Sequence, residues 1–445
     1  MQNKTSTISG SYNFRLKLSI EDIDVTEKTI LLRVDYDVSV GKYYKIGATY
    51  RIDRSINTIN YLIQRGCRVI ICSHLGDPKL DEDGYKNKYS LKRVALYLSS
   101  KLSQPVKFFD DIFSIKAKRE LAKLRPGQVA LLENLRFWPG EKDNSPSFAN
   151  KIIDVVGADI FVQDAFAVLH RKHASTDAIT KYLPTVAGFL VLDEFKHFDN
   201  FFDKAEKPVL GIVGGAKLKD KVGALERLID KCDDVFVGGA VANVLYYYSG
   251  IYTGESKIDN TDEMYSMVKR IKDKVFPMED ALDRSGLPRC RIRHGRNACF
   301  LCSQHFKVPL DVAISLNKHY TQQRMTVECT MVAPNEMILD MGDVAILRLK
   351  HYIGQPKTVF WNGVFGYVEM KYFRSGTEAV ARHLAYLHQQ GSKVYVGGGD
   401  TANFLYEMFE DPTEHFDYIS TGGGATLDLI NGLPLPGYEN ILNKE

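Results

Sequence analysis

Val394-Tyr395-Val396-Gly397-Gly398-Gly399-Asp400-Thr401 is the stretch whose reading decides the fold. The apolar residues read as a buried strand. Three glycines then bring the backbone close to whatever lies above the strand end, and Ala402-Asn403-Phe404-Leu405 opens a helix. A glycine turn between a strand and a helix N-terminus suits a phosphate, because bare N–H groups and the helix dipole both favour an anion. Asp400 is placed to hold a Mg²⁺ shared with that phosphate. One such turn carries little weight by itself.

The pattern recurs. Val209-Leu210-Gly211-Ile212-Val213 leads to Gly214-Gly215-Ala216-Lys217, and Asp234-Val235-Phe236-Val237 leads to Gly238-Gly239-Ala240. Thr358-Val359-Phe360-Trp361 leads to Asn362-Gly363, and Asp417-Tyr418-Ile419-Ser420 to Thr421-Gly422-Gly423-Gly424-Ala425. Open parallel sheets bind ligands at the carboxyl ends of their strands. Five glycine-bearing strand ends therefore predict one large anionic ligand along a sheet edge. Neither G-x-x-x-x-G-K-[ST] nor G-x-G-x-x-G occurs, so the common NTPase loop and the dinucleotide fingerprint are excluded.

The first half has the same rhythm with other chemistry. Strands are predicted at Thr29–Val34, Arg68–Cys72, Val106–Phe109, Val129–Leu132 and Asp159–Asp164, with helical spacing between them. Their ends carry Arg33, Asp35, His74, Arg136, His170, Arg171 and His173, which reads as a cationic pocket for a small anion. Residues 188–205 read as one connecting helix, with Phe195, Phe198, Phe201 and Phe202 in core packing. A cationic pocket and a nucleotide-phosphate surface in one chain suggest phosphoryl transfer across a cleft whose closure excludes water.

Composition sets outer bounds. The chain has 445 residues, 44% hydrophobic and 25% charged, with a net charge of +3. That length fits about two or three domains. The near-neutral balance gives no case for nucleic acid or a membrane surface. No apolar run reaches the roughly 18 residues of a spanning helix. Seven cysteines, an odd number in a long chain, fit a reducing compartment. The polar N-terminus and the C-terminal Ile441-Leu442-Asn443-Lys444-Glu445 carry no recognised address, so a cytoplasmic location is expected.

Eight motifs in order resemble the phosphoglycerate kinase family over nearly the whole chain. They are Arg33-Val34-Asp35-Tyr36-Asp37-Val38, Ser73-His74-Leu75-Gly76, Leu132-Glu133-Asn134-Leu135-Arg136-Phe137, and Asp164-Ala165-Phe166 with His170-Arg171-Lys172-His173. The series continues with Gly214-Gly215-Ala216-Lys217-Leu218-Lys219-Asp220-Lys221, Trp361-Asn362-Gly363, Gly397-Gly398-Gly399-Asp400-Thr401 and Ser420-Thr421-Gly422-Gly423-Gly424-Ala425. The resemblance implies an α/β fold of two Rossmann-like domains, each a parallel sheet flanked by helices, joined by a hinge helix. The expected boundaries are a phosphoglycerate-binding domain at 1–187, a connecting helix at 188–204 and a nucleotide-binding domain at 205–426. The tail 427–445 is expected to fold back on the first domain.

The resemblance also implies an activity: Mg²⁺-dependent, reversible phosphoryl transfer between 1,3-bisphosphoglycerate and ADP, giving 3-phosphoglycerate and ATP in glycolysis. It puts Arg51 and Lys217 on the transferred group, with Gly399 and Gly422. Asp35, Asp37, Arg51, His74, Arg136 and Arg171 would hold phosphoglycerate. Gly215, Ala216, Lys217, Lys221, Gly238, Gly239, Asn362, Glu369, Gly398, Gly399, Asp400 and Thr401 would hold nucleotide, with Asp400 on the metal. A monomer is the family expectation.

Several positions depart from the family pattern. Asp37 stands where the family has asparagine, and Asp77 where it has arginine. An unscreened like charge at about 4 Å costs on the order of 1–4 kcal/mol, so weakened glycerate binding is expected, with Asp77 able to pair with a neighbouring arginine. Ala240 and Val364 replace a glycine and a proline, and Pro277-Met278-Glu279 loosely matches a Pro-Val-Asp segment. Residues 284–307 form a basic insertion. Its Cys290, His294, Cys299, Cys302 and His305 read as reduced surface thiols and imidazoles; zinc ligation, an acidic or nucleic-acid partner, and a gene-model artefact are the alternatives. The competing function is a catalytically weakened nucleotide-binding descendant acting as an interaction protein. A kinase for a less anionic acid is a third reading.

Overall fold

Short apolar runs bounded by turn residues set the strands of the first sheet. These are β1 (Thr29–Val34), β2 (Arg68–Cys72), β3 (Val106–Phe109), β4 (Val129–Leu132), β5 (Ile160–Asp164) and β6 (Thr185–Ala187), in the order β3-β4-β2-β1-β5-β6. All their pairings are parallel. Parallel neighbours need crossovers, and the intervening helices supply them and cover both faces. On β1 the alternation divides the core. Ile30, Leu32 and Val34 join one buried cluster with Val69 and Ile71. Leu31 joins the other, with Ile70, Cys72 and Phe161.

The computed structural model describes residues 17–41, 45–79, 85–199, 201–216, 218–275, 303, 305–316 and 324–444. It divides into two compact units, Met1–Asn200 with Gly424–Glu445, and Phe201–Gly423. The final segment belongs to the first unit through specific contacts. The Leu18 N–H donates to the Leu442 carbonyl at 2.7 Å, Tyr438 stacks on Phe195 at 4.0 Å, and Asn440 donates to Asp177 at 3.0 Å.

In the second unit, β7 (Val209–Val213), β8 (Asp234–Val237), β9 (Phe306–Lys307), β13 (Thr358–Asn362), β14 (Lys393–Gly397) and β15 (Tyr418–Ile419) form a sheet in the order β15-β14-β13-β7-β8-β9. Its pairings are also parallel. The five strands with glycine turns are therefore contiguous neighbours. A separate antiparallel sheet, order β11-β10-β12, comprises β10 (Asp311–Ser315), β11 (Met325–Glu328) and β12 (Met337–Met341).

Two local expectations change. The helix predicted to run unbroken over 188–204 is two helices, Phe189–Phe198 and Phe201–Lys204. Asp199 is extended at ψ 127 and ends the first of them. Asp and Asn compete for backbone hydrogen bonds and so favour helix ends over interiors. The triplet Pro277–Glu279 and most of the insertion, including Cys290, His294, Cys299 and Cys302, lie outside the described residues. His305 is described, with Nδ1 3.2 Å from Asp234 Oδ1.

Candidate active site

In the first unit the chemistry gathers after β1, β2, β4 and β5. Arg51 sits on a short helix, Tyr50–Asp53. Its Nη1 donates to Asp35 Oδ2 at 2.6 Å and to the Asp37 carbonyl at 3.2 Å, and its Nε to the Tyr50 hydroxyl at 3.1 Å. Burial works against the Arg51 charge, but Asp35, Tyr50 and Asp37 outweigh it and raise its pKa. Arg136 follows β4 on a 3-10 turn, Leu135–Phe137, capped by Asn134. Its Nη1 donates to the Gly76 carbonyl at 2.6 Å, and its buried Nε has no partner among the described residues. Arg171 Nε contacts His170 Nε2 at 3.2 Å.

His74 is buried among these cations. Burial, and then Arg136, Arg33, Arg171 and Arg51, hold it well below the ordinary histidine pKa. Burial and the same three guanidiniums Arg136, Arg33 and Arg171 bring His173 down to about 4. Both rings are neutral at pH 7. The unit thus brings Asp35, Asp37, Arg51, His74, Arg136 and Arg171 to one sheet end, with guanidiniums carrying the positive charge.

The two extra acids find partners within the protein. Asp77 pairs with Lys142 at 3.0 Å, not with an arginine, and its side chain is 66% exposed. The hydrogen bond from Lys142 lowers its pKa. Asp37 Oδ1 accepts the Gly76 N–H at 2.7 Å, and Oδ2 stands 3.7 Å from His74 Nε2. Arg33 also departs from the reading that grouped it with the pocket. It is 0% exposed, because β1 is an interior strand with both faces covered, and Arg33 shares its face with Leu31.

In the second unit the glycines also meet a need within the protein itself. Many of their N–H groups are already used within the protein. Gly214 donates to the Asn362 carbonyl at 3.0 Å, Gly215 to Val364 at 2.7 Å, Gly238 to Val213 at 2.9 Å and Gly398 to Gly422 at 2.8 Å. The requirement is close approach between neighbouring turns. A Cβ on Gly363 would lie 2.1 Å from the Gly214 carbonyl oxygen, and one on Gly214 2.4 Å from that of Val364. The N–H groups in the first turn of helix Gly399–Met408 have no intrahelical acceptor and remain available as donors.

The remaining predicted residues fall around these turns. Thr401 is buried and its Oγ1 accepts the Gly363 N–H at 2.9 Å, so its hydroxyl orders the β13 turn. Lys221 lies on helix Leu218–Lys231 and donates to the Asn362 carbonyl at 3.2 Å and to Asn362 Oδ1. The buried Asn362 Nδ2 has no partner among the described residues. Lys217 lies outside the described residues. Asp400 is exposed in the first helical turn. Among the described residues no three His, Cys, Asp or Glu side chains gather into a metal site. The Asp400 carboxylate offers one oxygen ligand, which fits a magnesium whose shell is completed by phosphate oxygens and water, while the neighbouring N–H groups suit the phosphate itself.

Beside the turns lies a pocket of roughly 390 Å³. Gly215, Ala216, Gly239, Glu369 and Asp400, all named from the sequence, line it. Tyr246, Pro309, Val312, Met337, Leu339 and Phe365 make it an apolar slot, and these were missed. Pro309-Leu310-Asp311 is a better Pro-x-Asp triplet than Pro277-Met278-Glu279, and its position at the start of the apolar run Val312-Ala313-Ile314 was the available signal. Asp311 holds two N–H groups, Val344 at 2.8 Å and Ala345 at 2.7 Å. Asp340 also borders the pocket. Burial pushes it up to about 7, although it accepts from Gly376 and Met341, each at 2.9 Å.

Comparison with known proteins gives a consistent picture. The sequence profile of the phosphoglycerate kinase family matches residues 20–433. A phosphoglycerate kinase of Nostoc punctiforme is 34% identical over 420 residues, covering 94% of this chain and 96% of that protein. The cytosolic phosphoglycerate kinase of Nicotiana tabacum is 34% identical over 422 residues, with 94% and 96% covered. Among solved structures, phosphoglycerate kinase from Coxiella burnetii superposes with a TM-score of 0.68 at 29% identity, covering 96% of this chain and 98% of the other. That from Pyrococcus horikoshii gives 0.75 at 26%, covering 95% and 98%.

Proposed function

The chain belongs to the phosphoglycerate kinase family, and on that premise we propose that it moves a phosphoryl group reversibly between 1,3-bisphosphoglycerate and ADP, yielding 3-phosphoglycerate and ATP. The observation that carries the reading is the donor chemistry of the two strand-end sites, each taken by itself. One gathers Arg51, Arg136 and Arg171 around a neutral His74, which suits a small multiply charged anion. The other sets an apolar slot beside glycine turns and a helix N-terminus, which suits a purine nucleotide and its phosphates.

Phosphoryl transfer asks little covalent help of a protein and much positioning and charge neutralisation. Arg51 and Lys217 take the transferred group, with the backbone at Gly399 and Gly422. Asp35, Asp37, His74, Arg136 and Arg171 hold phosphoglycerate. Lys221 and the N–H groups of Gly399, Asp400 and Thr401 hold nucleotide phosphate. Gly215, Ala216, Gly238, Gly239, Asn362 and Gly398 shape the surface under it, and the exposed Glu369 carboxylate suits ribose hydroxyls. Magnesium held by Asp400 would neutralise phosphate charge. Asp77 pairs with Lys142 and Asp37 accepts the Gly76 N–H, so each extra acid has a partner within the protein.

The test is ATP formation by the purified full chain from 1,3-bisphosphoglycerate, ADP and magnesium in a coupled assay, with calorimetric titration of each ligand. Turnover should vanish in Lys217→Ala while folding and ADP binding persist. A wild type that binds ADP normally and forms no ATP refutes the proposal.

A further inference from the structure

Arg33 is a charged side chain without access to solvent, and its hydrogen bonds are specific. Nε donates to Ser175 Oγ at 2.9 Å. Nη1 donates to the Val34 carbonyl and, at 3.5 Å, to Ser73 Oγ. Nη2 meets His74 Nδ1 at 3.1 Å. Ser175 Oγ in turn donates to Glu141 Oε1 at 2.6 Å, and Glu141 Oε2 accepts the Ser175 N–H at 3.0 Å. Glu141 is buried as well. One serine hydroxyl thus joins a buried guanidinium to a buried carboxylate, which compensates both charges.

A guanidinium has donors and no acceptor. The 3.1 Å contact therefore makes His74 Nδ1 the acceptor and places the ring proton on Nε2. The charged groups facing the ring are Asp35, 3.9 Å from Nδ1, and Asp37, 3.7 Å from Nε2, with Arg33, Arg51, Arg136 and Arg171. The two carboxylates favour an imidazolium. The guanidiniums and burial oppose it, and Arg33 is the one that occupies a ring nitrogen.

We propose that Arg33 is a positioning residue that fixes His74 as the neutral Nε2–H tautomer, so that the anion pocket presents one oriented, uncharged donor among its arginines. Ser175 and Glu141 hold Arg33 in place. The assignment rests on the phosphoglycerate kinase reading only for the identity of the ligand, since the tautomer belongs to the free protein. A donor that does not titrate near neutrality keeps its hydrogen bond to a ligand oxygen independent of pH, whereas an imidazole free to exchange tautomers would offer that donor part of the time.

The test uses the full chain with ¹⁵N-labelled histidine and long-range proton–nitrogen correlation, with His74 assigned through His74→Gln. In the free wild type, His74 should show a protonated Nε2 and a bare Nδ1 that persist from about pH 8 to about pH 5.5. Arg33→Met should release the ring to tautomer averaging or titration near the ordinary value. It should also raise KM for 3-phosphoglycerate about tenfold, the scale of one lost oriented hydrogen bond, with KM for ATP unchanged. Arg33→Lys, which keeps a donor, should recover part of both. Should Arg33→Met not fold, Ser175→Ala removes the bridge to Glu141, and His74 should then show mixed tautomers. A wild-type His74 protonated on Nδ1, an imidazolium at pH 7, or ring signals unmoved in Arg33→Met or Ser175→Ala overturns the proposal. A wild type with the expected tautomer and no kinase turnover upholds this assignment and sinks the activity instead.

Discussion

Arg51→Met asks whether one residue serves both the fold and the chemistry. The Asp35 side chain is 1% exposed and Arg51 Nη1 donates to its Oδ2 at 2.6 Å. Methionine keeps much of the volume and removes every donor. Asp35 then retains the Asp37 N–H on Oδ1, at 3.1 Å, and loses its ion pair. Removing one partner of a buried pair costs about 3–5 kcal/mol. Asp35 keeps the Asp37 N–H, so the lower end, about 3 kcal/mol, is expected. Adding Asp35→Asn removes the orphaned charge and should return about 1–2 kcal/mol.

The chain has two tryptophans, Trp138 in the first unit and Trp361 in the second. Denaturant unfolding in a Trp361→Phe background therefore reports the first unit through Trp138. A loss below about 1 kcal/mol in Arg51→Met, or no recovery in the double variant, refutes the ion-pair reasoning. Activity separates the second role. If Arg51 contacts the transferred group, kcat falls by about three orders of magnitude under conditions where the variant is folded. It stays low in the double variant even as stability returns. Activity that recovers along with stability would show Arg51 to be structural alone.

Gly239→Ala should destabilise the second unit, because φ +59 costs an alanine about 1–2 kcal/mol. Its Cβ would also lie 2.8 Å from both the Gly215 nitrogen and the Val364 carbonyl oxygen, so the two turns must part and ADP titration should show weaker binding. Asp77→Arg removes an exposed anion and releases Lys142. Binding of 3-phosphoglycerate should tighten severalfold at low ionic strength, an effect that disappears in high salt if it is surface electrostatics. Asp340 has its folded pKa raised from 3.8 to about 7. The folded protein therefore holds an extra proton in that window, and the stability this contributes is full below pH 3.8 and lost as pH rises through about 7. Asp340→Asn cannot titrate, so its unfolding midpoint relative to wild type should improve from pH 5 to pH 8. A constant offset would mean that Asp340 does not titrate there.

The sheets were legible because buried parallel strands leave an unmistakable local mark. Val209–Val213 and Val394–Val396 are apolar runs closed by glycine, and both are strands of the second sheet. β6, with three residues, and β9, with two, carry too little pattern to stand out alone, whereas the two residues of β15 were found through the glycines that follow them. Pro309, Leu339 and Phe365 come from three separate segments and meet only in the folded pocket, so no local pattern marks them as its lining. The glycine turns were located correctly for an incomplete reason, since the N–H partners of Gly214, Gly215 and Gly398 are other backbone turns.

Residue type and order by themselves determined the α/β class, the family and the strand-end placement of His74, Arg136 and Asp400, because each is encoded in a short local pattern. Only the tertiary structure decided charge and partnership. It buried Arg33 beside Ser175 and His74, gave Asp77 to Lys142 and put Asp340 at the edge of an apolar pocket. Protonation state and ion pairing depend on which groups from distant segments lie within a few ångströms and on how much water remains between them. Those quantities exist only once the chain has folded.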